Sequence, residues 1–147
     1  MVRKEIRFAQ LEGIKALVVE DNIELRDLIK DILVQEGAQP EFAEDGESAI
    51  EKVTVELYDI ILMDLKLPKI GGEEVVKTLK KLGVSTPIIA FSGYLESEKR
   101  DQCLAAGFDD YISKPFDLDY FITKIKAMAK IRAIPKTRTK NQGIIRP

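Results

Sequence analysis

The sequence contains no histidine, and its single cysteine is Cys103. These absences exclude a histidine-based catalytic triad, an intramolecular disulfide and any zinc site built from thiolates or imidazoles. A metal bound by this chain must be a hard cation held by oxygen. No apolar run approaches the ~20 residues of a membrane-spanning helix, and no secretory signal precedes the first predicted strand. Neither a GxGxxG fingerprint nor a Walker-type loop is present, so the chain is not built to cradle a nucleotide. The lone cysteine fits a reducing, cytoplasmic compartment.

What the chain does have is 147 residues, 45% of them hydrophobic and 33% charged. That describes one soluble domain of ordinary size. The net charge of −2 is unevenly spread. Ile14 to Ala129 holds 14 Lys and Arg against 23 Asp and Glu, whereas Lys130 onward holds six basic residues and no acid. The basic end, 131–147, is expected to be a mobile, solvated tail, with Pro135 interrupting any continued helix. Direct nucleic-acid binding is not expected of it. Residues 1–13 are weakly periodic and are expected to form a leader or a short helical extension ahead of a domain at 14–130.

The most informative stretch is Tyr58-Asp59-Ile60-Ile61-Leu62-Met63-Asp64-Leu65-Lys66-Leu67-Pro68, followed by Gly71-Gly72. Ile60 to Met63 is too short for a buried helix and suits a strand covered on both faces. It ends on Asp64. Pro68 and the glycine pair place a loop between Asp64 and the next helix, which argues against a plain capping role.

The same grammar recurs along the chain. Ile14 to Val19 predicts a first strand ending on Glu20-Asp21, and Asn22 then caps a helix with Leu25, Leu28, Ile29, Ile32 and Leu33 on its apolar face. Gly37 stops that helix. Pro40 to Ala43 suits an edge strand, where a missing N–H is tolerated. Asp45-Gly46 opens a second helix with Ala49, Ile50 and Val53 inward. A third helix, from about Gly72 to Leu82, buries Val75, Val76 and Leu79. Pro87 to Phe91 is a fourth strand closing on Ser92-Gly93. A fourth helix, about Ser97 to Ala106, stops at Gly107, with Cys103 expected to pack as a small hydrophobe. Asp110 to Ser113 is a fifth strand closing on Lys114-Pro115. The last helix carries Leu118, Phe121, Ile122, Ile125 and Met128 on one face. Five strands alternating with five helices predict an α/β fold: a doubly wound, five-stranded parallel sheet.

In such a sheet all strands end at one edge, where ligands bind. Four of the five ends carry chemistry: Glu20 and Asp21, Asp64, Ser92, and Lys114. Converging carboxylates repel one another, and a divalent cation such as Mg²⁺ relieves that repulsion. Lys114 adds a point charge and Ser92 a hydroxyl donor, a pair suited to a phosphoryl group.

These motifs resemble the receiver domain of two-component signalling, from single-domain regulators or hybrid histidine kinases. They are Val18-Val19-Glu20-Asp21-Asn22, Met63-Asp64-Leu65-Lys66-Leu67-Pro68 with Gly72, Phe91-Ser92-Gly93, and Ala106-Gly107 with Tyr111-Ile112-Ser113-Lys114-Pro115-Phe116. The resemblance implies a flavodoxin-like strand order, 2-1-3-4-5. It implies that Asp64 is the phosphoacceptor and that Glu20, Asp21, Asp64 and the backbone carbonyl of Lys66 hold Mg²⁺. Ser92 and Lys114 would bind the phosphoryl oxygens, Ser92 and Tyr111 would act as the switch, and Lys114-Pro115 would be a cis peptide. The sequence departs from the family pattern at Ser92, where threonine is commoner, at Leu67, a usual methionine, and at Gly71, often polar. Plainer readings stand beside these: Glu20 as a solvated acid at a helix start, and Tyr111 as core packing.

The resemblance implies a module that takes a phosphoryl group from a histidine kinase or phosphotransfer protein. It would act catalytically only on itself and present its fourth-helix, fifth-strand face to an unknown downstream partner. An aspartyl-phosphate phosphatase would want a second acid two residues after its nucleophile, where this chain has Lys66. A flavin module would want donors after the first strand, where this chain has Glu20-Asp21-Asn22. About eighteen residues follow the last helix, so the expectation is a stand-alone regulator or a receiver from a hybrid kinase or larger regulator.

Overall fold

The apolar runs become five short strands in a computed structural model that describes residues 9–92 and 97–129. They are β1 (Lys15–Val19), β2 (Gln39–Ala43), β3 (Ile60–Asp64), β4 (Ile88–Ser92) and β5 (Asp110–Ser113). Between them lie α1 (Ile23–Gln35), α2 (Gly46–Val55), α3 (Gly72–Lys81) and α4 (Ser97–Ala106), and α5 covers residues 118–129. All strands pair in parallel, in the order β2-β1-β3-β4-β5. This is the doubly wound, flavodoxin-like sheet expected. The basic tail and residues 1–8 of the expected leader lie outside the described residues.

Continuous apolar strands are explained by cover on both faces. Ala16, Val18, Ile60, Leu62, Ile89, Phe91 and Ile112 point to one side and pack with Ile29 and Leu33 of α1 and Phe121, Ile122 and Ile125 of α5. Leu17, Val19, Ile61, Met63, Ile88 and Ala90 point to the other and pack with Ala49, Val75, Val76, Leu79 and Cys103 of α2, α3 and α4. Each fully buried Leu, Ile or Val contributes about 1.5–3 kcal/mol. Among the described residues no helix is long and apolar enough to cross a membrane.

Two expectations about packing need correction, and one residue ahead of the first strand adds to the core. Leu28 is 51% exposed. At 100° per residue it falls roughly a quarter turn from the centre of the stripe formed by Leu25, Ile29, Ile32 and Leu33. Leu118, the first residue of α5, is 46% exposed, while Phe116 packs against the core and stacks 4.5 Å from the Phe121 ring. Leu11, assigned to the leader, is fully buried in the core with α1 and α5. Its N–H donates to the Glu36 carbonyl at 2.8 Å, so the packed structure begins before Ile14.

Two aspartates set the strand register at the opposite edge from the expected site. Asp59 accepts from the Lys15 N–H at 2.9 Å and donates its own N–H to the Lys15 carbonyl at 2.8 Å. Asp109 repeats the reciprocal pair with Ile88, at 2.8 Å both ways. Because a one-residue slip would turn every side chain to the other face, these pairs also align the chemical ends of the strands.

At the same edge the Tyr58 hydroxyl donates to Glu41 at 2.7 Å, and Lys15 bridges Glu56 at 3.0 Å and Glu41 at 3.6 Å. Burial, then the bond to Glu41, pushes the Tyr58 phenol well above its usual range. The unfolded chain ionises this tyrosine near pH ~10 while the fold keeps it neutral, so stability falls as pH rises beyond that value. Lys15, its pKa raised chiefly by the Glu56 hydrogen bond, is lost in the same direction. Tyr58→Phe is expected to cost about 1 kcal/mol at pH 7. It should also flatten the decline between about pH 10 and 11 by up to ~1.4 kcal/mol per pH unit. Chemical denaturation across that range checks this, and parallel wild-type and variant slopes would refute it.

Candidate metal and phosphoryl site

Parallel register brings the expected residues to one edge. Val19 pairs with Met63, Asp64 with Phe91, and Ser92 with Ser113, so Glu20, Asp64, Ser92 and Lys114 stand at successive strand ends. β1 and β3 are central neighbours whose following helices lie on opposite faces, which places the crevice at the topological switch point.

Glu20 is 1% and Asp64 6% exposed, whereas Asp21 is exposed. Carboxylate oxygens of all three lie within 4.8 Å of one another. Asn22 caps α1 by accepting from the Leu25 N–H at 2.8 Å, as expected. The same residue donates its backbone N–H to Glu20 Oε2 at 3.0 Å, which fixes that carboxylate. No sequence pattern marks this second role. Burial, more than the Asp64 charge, raises the Glu20 pKa above its usual value, against the opposing pull of the Asn22 N–H and Lys114. Glu20 is therefore no solvated helix-start acid.

Lys114 enters from the end of β5. Its N–H donates to the Ser92 carbonyl at 2.7 Å, and its Nζ lies 3.4 Å from Glu20 Oε1 and 3.7 Å from Asp64 Oδ2. The ammonium also sits 4.9 Å from the centre of the Phe91 ring, another contact that sequence reasoning missed. The Lys114-Pro115 peptide is cis. Ser92 is buried at the end of β4. Lys66 is exposed, and its N–H donates to Asp64 Oδ1 at 3.2 Å. Tyr111 is half-buried against the α2–α4 face, and the Arg100 guanidinium lies 5.1 Å from its ring centre. Gly93 lies outside the described residues.

Gly72 explains why α3 can start so close to this site. A Cβ there would stand 2.6 Å from the Asp64 carbonyl oxygen, a backbone atom that cannot move aside. The arrangement fits a divalent cation: an oxygen-only donor set, three clustered carboxylates, the Lys114 ammonium beside two of them, and a buried Glu20 held above its usual pKa. Mg²⁺ is commonly bound by one or two carboxylates with phosphate and water.

A doubly wound sheet with an acidic, oxygen-only crevice at its switch point and a lysine leaning into it defines the class of domain. The chain belongs to the response regulator receiver domain family, whose model matches residues 16–126. It is 32% identical over 132 residues to the transcriptional regulatory protein DltR of Streptococcus agalactiae, covering 90% of this chain and 59% of DltR. The chain spans about half to three fifths of the curated relatives it matches. The receiver domain of the Francisella response regulator 1452 superimposes with a TM-score of 0.78 at 30% identity, over 81% of this chain and 98% of that one. The receiver of a Pseudomonas aeruginosa sensor histidine kinase gives a TM-score of 0.74 at 30% identity, over 80% and 98%. That domain was solved with a magnesium ion coordinated in its active-site cleft.

Proposed function

We propose that this receiver accepts a phosphoryl group on Asp64 from a phosphohistidine of a histidine kinase or phosphotransfer protein. The observation that carries the reading is the buried Asp64 carboxylate, held between Lys114 at 3.7 Å and the Glu20–Asp21 pair. An Asp64 oxygen forms the new bond to phosphorus while the bond from phosphorus to the donor imidazole nitrogen breaks, leaving the electron pair on that nitrogen. Glu20, Asp21, Asp64 and the Lys66 carbonyl would hold Mg²⁺, which would neutralise phosphoryl charge as it does in other phosphoryl-transfer sites. Lys114 stabilises the same charge from the opposite side.

Once Asp64 carries the phosphoryl group, Ser92 turns its hydroxyl to it and Tyr111 moves inward. The move breaks the contact with Arg100 and repacks the α4–β5 face toward a downstream partner, a shift between two packings. The domain acts catalytically on its own phosphorylation and dephosphorylation alone, and the lone buried Cys103 suits the cytoplasm.

Asp21 provides the test, because it is exposed and its loss leaves the core intact. With a small phosphodonor and Mg²⁺, wild type should be labelled and Asp21→Ala should be slowed about 100-fold, the scale of damage to a metal's supporting groups. Its metal-free melting temperature should be unchanged or higher. Labelling at the wild-type rate would overturn the metal assignment.

A further inference from the structure

The loop from Asp64 to α3 is tied at both ends of its course. At its base the Gly72 N–H donates to the Leu65 carbonyl at 3.0 Å and the Lys66 N–H to Asp64 Oδ1 at 3.2 Å. At its tip the Ile70 N–H donates to the Pro68 carbonyl at 2.8 Å, closing a tight turn on Lys69. Lys69 has φ 69°, the one positive φ of a non-glycine residue among those described. Gly71, two residues on, has an ordinary φ of −74°. A conformation that disfavours any residue with a Cβ thus falls on a lysine although glycine stands nearby. Such outliers persist only where their surroundings hold them, and they cluster at functional sites.

The surroundings here are the start of α2. Lys69 Nζ lies 3.2 Å from Asp45 Oδ2 and 4.0 Å from Glu47 Oε1. Asp45 is itself fixed, since it caps α2 by accepting from the Ser48 N–H at 2.9 Å. Beneath the pair, Ile70 packs so closely on Gly46 that a Cβ there would stand 2.9 Å from Ile70 Cγ1. The tip is therefore anchored by an ion pair and an apolar contact. Between tip and base remain only Lys66, the buried Leu67 and Pro68.

We propose that the Lys69–Asp45 ion pair is a positioning device for the phosphoacceptor site. It holds the turn at Lys69, and through the short Lys66–Pro68 span it holds the Lys66 peptide beside Asp64. Neither residue touches the reacting groups. The inference rests on the phosphoacceptor reading, because the Lys66 carbonyl is assigned to the metal there.

The test uses the full chain as Lys69→Met, Asp45→Asn, the double variant and Lys69→Arg. Asparagine caps helices as well as aspartate does, so Asp45→Asn removes the charge and keeps the cap. Two quantities are read: amide hydrogen exchange at Ile70 without metal, and Mg²⁺ affinity from amide shifts on titration. Each single variant should speed Ile70 exchange and weaken Mg²⁺ binding by about two- to fivefold, the scale of a partly exposed ion pair. The double variant should be no worse than either single, Lys69→Arg should match wild type, and the differences should shrink in high salt. Faster exchange with unchanged Mg²⁺ affinity would show a purely structural contact and overturn the proposal. Additive effects, or unchanged single variants beside normal wild-type Mg²⁺ binding, would overturn it too. A wild type that binds no Mg²⁺ would overturn the phosphoacceptor reading itself, and this inference with it.

Discussion

Asp64→Asn protein is expected to take up no measurable acid- and base-labile phosphate, either from a phosphohistidine donor or from a small phosphodonor. The amide is nearly isosteric with the carboxylate but is a far weaker nucleophile, so the chemical step is lost while the shape is kept. The fold should not suffer. Asp64 is one of three clustered carboxylates, and its charge is one of the causes that raise the Glu20 pKa. Removing that charge relieves repulsion, and the metal-free melting temperature should hold or rise. Labelled-phosphate uptake and thermal melts on the same preparations check both halves. Label recovered on Ser92 or another hydroxyl residue would sink the acyl-phosphate mechanism.

The architecture was readable because burial on both faces leaves a distinct imprint. Ile60 to Met63 and Ile88 to Phe91 are short and apolar without alternation, as strands of a parallel sheet covered on both faces are. Once the strands were placed, their shared edge brought Glu20, Asp21, Asp64, Ser92 and Lys114 together without any knowledge of side-chain positions. What stayed hidden depended on contacts between elements distant in sequence. Leu11 is an ordinary leucine in a weak pattern, and its burial turns on where α1 and α5 lie, whereas Leu118 follows the apolar period of α5 yet stands exposed at its first residue. The Lys69–Asp45 pair spans 24 residues, and nothing in either local pattern marks one for the other. Arg100 above Tyr111 was equally invisible, because helical periodicity places a residue on a face and does not name its partner on the neighbouring strand. The family resemblance supplied roles, such as the Lys66 carbonyl, that spacing alone did not yield.

Lys114→Met should produce two effects of opposite sign, and their combination separates electrostatics from general damage. In the metal-free domain the Lys114 ammonium lies 3.4 Å from Glu20 and 3.7 Å from Asp64. Removing one partner of a fully buried pair costs ~3–5 kcal/mol. Here the lysine side chain is 21% exposed, so about 2 kcal/mol is the better figure. In a domain of this size that lowers the melting temperature by roughly 4–8 °C. Methionine keeps much of the stem, so contact with the Phe91 ring is largely retained and the loss reports the missing charge. Mg²⁺ and the ammonium offset the same carboxylates, and with the ammonium gone the cation should bind more tightly and restore more stability than in wild type. Phosphoryl uptake should nonetheless fall by about 10²-fold or more, because the charge that develops on the transferring group loses a fixed cation. Melts with and without Mg²⁺, beside single-turnover labelling, measure all three quantities. Weaker Mg²⁺ binding in Lys114→Met would mean that the lysine organises the carboxylates for the metal, and the competition drawn from these distances would be wrong.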